Sequence, residues 1–196
     1  MKKIGFILLL LILAGFGAGC INSGPSGGST ATTTSAQGGT TPTHSQDYVD
    51  VNGTRIYLNE IHFYMYGMKT CPHCRRMHEL IPATYGNNSL TYYELVNNET
   101  NVKFFSMISQ LTGITGVPAI AITYRGNISA IIEGEFNVTA TPRIIYASIQ
   151  NNGTLLFVGG KAYILPHNST KAQAVLEELY DLFVKHEMPA NSTSSG

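Results

Sequence analysis

Cysteine is scarce in this chain: three residues in 196, at Cys20, Cys71 and Cys74. A structural zinc site needs four ligands, and no second cysteine pair supplies them. Two of the three are separated by only two residues, Cys71 and Cys74. Bridging them closes almost no loop, so the pair adds little chain-entropy stabilisation and reads as chemical rather than structural. Net charge is lacking too, since 12 Lys and Arg balance 12 Asp and Glu. No basic stripe stands out, which argues against a nucleic-acid surface. A long apolar run is also missing. Ile4 to Phe16 is the longest, short of the roughly 20 residues a membrane span requires.

What that run does fit is export. Met1-Lys2-Lys3 is a positive start, Ile4 to Phe16 an apolar segment, and small residues lead to Cys20. Gly17-Ala18-Gly19-Cys20 resembles a prokaryotic lipobox, with Gly17 where a large aliphatic residue is usual. That resemblance implies that Cys20 becomes lipidated and tethers the protein to the outer face of the cell membrane. A retained short helix is the alternative. Residues 1–20 are thus the expected signal peptide and lipobox. Residues 21–46 are almost all Ser, Thr, Gly, Pro, Ala and Gln, a flexible linker whose hydroxyls can carry O-glycans. Residues 47–187 form the expected folded domain and 188–196 a polar tail. Asn-x-Ser/Thr sequons at Asn52, Asn87, Asn98, Asn127, Asn137, Asn152, Asn168 and Asn191 fit an extracytoplasmic glycoprotein.

The folded part alternates strand and helix patterns, an α/β chain. Ile61–Tyr66 is rich in β-formers. A helix is expected from Pro72 to about Ala83 with Pro72 in its first turn, then a strand over Leu90–Val96. Asn101–Leu111 reads as a helix capped by Asn101, with Phe104, Ile108 and Leu111 on one face and Gly113 closing it. Pro118–Tyr124 and Ile128–Ile132 form a hairpin pattern around Arg125-Gly126-Asn127. Thr141–Ile149 predicts a helix with Thr141 as cap and Pro142 first; a strand is the alternative, because Pro142-Arg143-Ile144-Ile145 echoes Pro118-Ala119-Ile120-Ala121. Gly159-Gly160 between two β-like runs signals another hairpin. Thr170 opens a last helix whose buried stripe is Val175, Leu176, Leu179, Leu182 and Phe183.

Lys69-Thr70-Cys71-Pro72-His73-Cys74 falls between the first of these strands and its helix. There Cys71 meets the unpaired N–H groups and positive dipole end of a helix N-terminus, which favour an anion. Such placement lowers a thiol pKa, and only the thiolate attacks. Cys74 lies one turn in, shielded and able to resolve a mixed disulfide.

Strand, Cys-x-x-Cys helix, strand, helix and then Gly116-Val117-Pro118 opening a hairpin resembles the thioredoxin superfamily over about Ile61 to Gly134. The resemblance implies a central mixed β-sheet flanked by helices, here with a C-terminal hairpin-plus-helix extension. It implies catalysis by Cys71, Pro72, His73 and Cys74, a cis Pro118 facing the pair, and a Val117 backbone offered to bound peptide. It implies no cofactor beyond the redox disulfide, no metal, and exported protein thiols and disulfides, together with a membrane redox partner, as the molecules met. Cys-Pro-His-Cys is the active-site sequence of DsbA-type oxidases, though no helical insertion separates Cys71 from Pro118. Lys69-Thr70-Cys71-Pro72 looks like a glutaredoxin, but Gly134-Glu135-Phe136 stands where a glutathione signature belongs. The acidic residue that the family places six before the first cysteine is Met65 here.

Rival readings are a metal carrier, with Met68, Met77 and His78 beside the pair, and a peptide-binding module without catalysis. Within the enzyme reading, a reductase for cytochrome or metalloprotein maturation competes with an oxidase or isomerase. The helix N-terminus, His73, Lys69 and Arg75 all favour the Cys71 thiolate, and no carboxylate at Met65 opposes it. These point to the oxidising direction.

Overall fold

The computed structural model describes residues 47–190. The expected signal segment, Cys20, the linker and Asn191 lie outside them. Among the described residues no helix is long and apolar enough to cross a membrane.

A small antiparallel hairpin comes first, β1 (Tyr48–Val51) and β2 (Thr54–Tyr57). Its turn is Asn52-Gly53, both at positive φ, the dipeptide that two-residue hairpins prefer. The sequence pattern does not announce these two strands, which are only four residues each. Then follow β3 (Ile61–Gly67), α1 (Pro72–Tyr85), β4 (Leu90–Glu94), α2 (Glu99–Thr112), β5 (Ala119–Tyr124) and β6 (Asn127–Glu133). The chain continues through α3 (Thr141–Gln150), β7 (Gly153–Val158), β8 (Lys161–Pro166) and α4 (Thr170–Tyr180), which runs on as a wider turn to Lys185.

Six strands make one mixed sheet in the order β4-β3-β5-β6-β7-β8. β3 is parallel to β4 and antiparallel to β5, and β6 is parallel to β7. The last hairpin is therefore no appendage. It extends the central sheet through β6, a pairing between distant segments that local pattern does not announce.

Period-two alternation sorts the strands between two apolar layers. Phe63, Met65, Ile120, Ile122 and Ile132 face one way, against Met77 and Ile81 of α1 and Ile145 of α3. Tyr66, Ala119, Ala121, Ile131 and Leu156 face the other, against Phe104 and Ile108 of α2 and Leu179, Leu182 and Phe183 at the C-terminal end. All of β5 is buried, as befits a strand covered on both faces. Tyr66 donates its hydroxyl to the Leu182 carbonyl and Tyr93 to that of Phe183, which satisfies two carbonyls at the end of the last helix.

Two expected caps are displaced. Asn98, not Asn101, caps α2, accepting from the Asn101 N–H at 3.0 Å; Asn101 is buried and donates to the Glu94 carbonyl. Thr141 is the first residue of a helix, not its cap, and its hydroxyl donates to the Val138 carbonyl. Segment 141–150 is a helix and not a strand, packed on β6 and β7 by Ile145.

Gly153 allows β7 to meet β8 closely. A Cβ there would stand 2.6 Å from Ile164 Cγ2 and 2.9 Å from the Leu165 carbonyl oxygen. Gly153→Ala is expected to force those strands apart and lower stability by about 1–3 kcal/mol, read from the urea midpoint. An unchanged midpoint would show that the strand pair gives way freely.

Candidate redox site

β3 ends at Gly67, and Met68-Lys69-Thr70 leads to Cys71, the N-cap of α1. Pro72 occupies the first helical position, where its missing N–H costs nothing. The Cys71 N–H donates to the Met68 carbonyl at 2.9 Å. A carboxylate pins this loop from the side. Glu94, at the end of β4, accepts from the Lys69 N–H at 3.1 Å, the Val96 N–H at 3.0 Å and the Tyr92 hydroxyl at 3.2 Å. Gly67 must lack a side chain, since a Cβ would come within 3.1 Å of both Cys74 Sγ and Tyr92 Cε2.

Both cysteines are thiols, Cys71 partly exposed and Cys74 at 1% exposure. Cys71 Sγ accepts from the Cys74 N–H at 3.4 Å. Burial is the largest influence on its ionisation and opposes the thiolate. The Cys74 thiol, the N–H groups of Cys74 and His73, and the Arg75 guanidinium together outweigh it, so the Cys71 pKa lies below the ordinary value. Cys74 goes the other way. Burial, then its neighbour's sulfur, push its thiol up to about 12. The pair is thus split into an attacking and a resolving sulfur.

The Val117–Pro118 peptide bond is cis, and the Val117 carbonyl lies 3.9 Å from Cys71 Sγ. A second carboxylate holds that loop. Glu133, closing β6, accepts from the N–H groups of Thr115 and Gly116 at 2.8 and 2.7 Å with one oxygen. Its other oxygen takes the Gly159 N–H at 2.9 Å, at the tip of the β7–β8 hairpin. The Gly159 N–H, against burial and with those of Thr115 and Gly116, holds its carboxyl below the usual range. Glu133→Ala is expected to speed amide exchange at Thr115, Gly116 and Gly159 at least about tenfold, since hydrogen bonds to charged groups contribute ~1.5–3 kcal/mol. Hydrogen-exchange mass spectrometry checks this. Unchanged protection would mean the loop holds itself.

The His73 side chain is paired with Glu135. Its Nδ1 lies 2.8 Å from Glu135 Oε2, and Arg76 donates to Glu135 Oε1 at 3.0 Å. The ring is largely exposed, and His73 reaches Cys71 through its backbone N–H. Hydrogen bonding to His73, with burial opposing and Arg76 assisting, keeps the Glu135 carboxyl below its ordinary value. Lys69 bears on the site through its backbone, while the Arg75 charge does favour the thiolate. The sequence does not mark Glu94, Glu133 or Glu135 as site residues, because each holds a partner distant in sequence: Lys69, Gly116 and His73. Between α1 and residues 134–139 runs an open groove of about 750 Å³, lined by His73, Leu80, Val117 and Phe136 among others.

Met77 is buried in the core beneath the helix, away from any shared site with Cys71. Among the described residues no three His, Cys, Asp or Glu side chains converge as metal ligands. The described sequon asparagines are all exposed, but the hydroxyl residues Ser89, Ser129 and Thr154 that complete those of Asn87, Asn127 and Asn152 are buried. No family model, no curated protein and no solved structure matches the chain.

Proposed function

We propose that this chain is a thioredoxin-like thiol–disulfide oxidoreductase that forms or isomerises disulfides in exported proteins, working outside the cytoplasm from a lipid anchor at Cys20. The observation that carries the reading is the divided pair. Cys71 caps a helix with its sulfur on the Cys74 N–H, and Cys74 lies buried one turn in. A client sulfur reaches Cys71 alone, forms a mixed disulfide there, and is displaced when Cys74 closes on Cys71. The Val117 carbonyl and the adjoining groove provide the surface along which a client chain lies.

Direction follows from the thiolate. Backbone N–H groups and Arg75 favour it, and the buried apolar Met65 places no carboxylate beneath it. Stabilising the reduced form raises the potential. His73 favours the thiolate through its backbone N–H, while its ring pairs with Glu135. Equilibration with glutathione tests the reading. A potential above thioredoxin's value of about −270 mV, with reactivation of scrambled ribonuclease, is the expected result. A potential at or below that value overturns the oxidising direction. A pair that never forms a disulfide overturns the enzyme.

A further inference from the structure

We infer that His78 is the acid–base partner of Cys74, exchanging the proton that this buried thiol loses when the pair closes and regains when it opens. The inference rests on the oxidoreductase reading above.

A thiol sealed from water needs a proton acceptor, because the thiolate is the nucleophile. The apolar layer offers none, since Met65 and Met77 are fully buried neighbours in that core. Cys74 instead lines a cavity of about 240 Å³ with Lys69, Arg75, His78, Glu79 and Tyr92. Cys71 is not among its walls. Cys74, and not Cys71, therefore borders this cavity.

Among its walls, His78 has the right position and chemistry. It follows Cys74 by four residues in α1, about 40° around the helix and on the same face, whereas Glu79 is turned by about 140°. Its ring meets Tyr92 edge-on at 5.1 Å and 83°, and Tyr92 itself packs beside Gly67 and Cys74. The Tyr92 hydroxyl is committed to Glu94, and burial, then that carboxylate, raise its pKa. Ammonium and guanidinium groups such as those of Lys69 and Arg75 accept no hydrogen bond. Imidazole is the side-chain type that both accepts and returns a proton near neutral pH.

In closure, the Cys74 S–H proton passes to the His78 ring nitrogen and the Cys74 sulfur attacks Cys71 Sγ. The bond from Cys71 to the client sulfur breaks, and the client leaves as a thiolate with the electron pair. In opening, a client thiolate attacks Cys71 Sγ, the Cys71–Cys74 bond breaks, and the imidazolium protonates the Cys74 sulfur. Without that proton the leaving group is a poor one, since a sulfur of high pKa departs slowly.

Reduced full-length protein mixed with dithiobis(nitrobenzoate) separates the steps by stopped flow. The first nitrothiobenzoate released reports attack by Cys71, the second reports closure by Cys74. His78→Gln and His78→Asn are expected to leave the first burst unchanged and slow the second at least about tenfold near neutral pH. The second burst should then rise only with hydroxide, and added imidazole should restore it. A second burst within about twofold of wild type, an equal loss in both bursts, or the loss appearing in Glu79→Gln instead would overturn the assignment. A wild-type protein that releases no second equivalent overturns the oxidoreductase reading itself, and the assignment with it.

Discussion

Cys74→Ser is expected to accumulate mixed disulfides with client proteins, while Cys71→Ser accumulates none and falls to background turnover. The asymmetry comes from access and charge together. Cys71 caps the helix, partly exposed, with its sulfur on a backbone N–H and its carbonyl neighbour Val117 beside it. Cys74 is sealed at 1% exposure. Removing Cys74 leaves the first bond to form intact and deletes the sulfur that would break it, so the covalent intermediate persists. Removing Cys71 leaves a buried thiol that no client reaches. Non-reducing gels of both variants, followed by mass spectrometry of the trapped bands, decide it. Equal trapping by the two would sink the division of roles.

Much of this site was legible because its chemistry is local. Two cysteines three positions apart with Pro72 at the first helical position suit a helix N-terminus, and that turn needs no long-range information. Gly159-Gly160, flanked by β-branched and apolar runs, is legible as a hairpin for the same reason. Asn52-Gly53 carried an equally good hairpin signal, but its flanks are only four residues each and the sequon pattern claimed it. Asn98 and Asn101 are both good caps. Which one serves depends on the Glu94 carbonyl that captures the Asn101 amide, a tertiary fact. The three carboxylates around the site were illegible for that reason. Glu133 acts on Gly116 and Gly159, 17 and 26 residues away, and a glutamate at a strand end carries no mark of such partners. His73 adds a partner that the motif does not announce: its ring pairs with Glu135, 62 residues on.

The second large effect is the separation of the two thiols along the pH axis. Alkylation by iodoacetamide is expected to be at least about 50-fold slower for Cys71→Ser than for Cys74→Ser at pH ~8, before burial is counted. A thiol with its pKa at about 12 is roughly one part in ten thousand ionised at that pH, against about a tenth or more for a thiol below 9. That ratio of about a thousand shrinks some 20-fold, because the more basic thiolate is the better nucleophile with a Brønsted slope of ~0.4–0.5. Burial is the largest cause of the Cys74 shift, so the shift survives loss of the Cys71 charge. Stability carries the same signature. The folded thiol keeps its proton where the unfolded one, with an ordinary value of 9.0, has lost it. The stabilisation is fully present below pH 9.0 and is lost as pH rises toward about 12. Urea unfolding of the reduced protein should therefore weaken through that alkaline window, and the disulfide form, with no thiol to titrate, should lack this contribution. Equal alkylation rates in the two variants, with matching alkaline profiles for the two redox forms, would show that Cys74 is neither buried nor raised in solution.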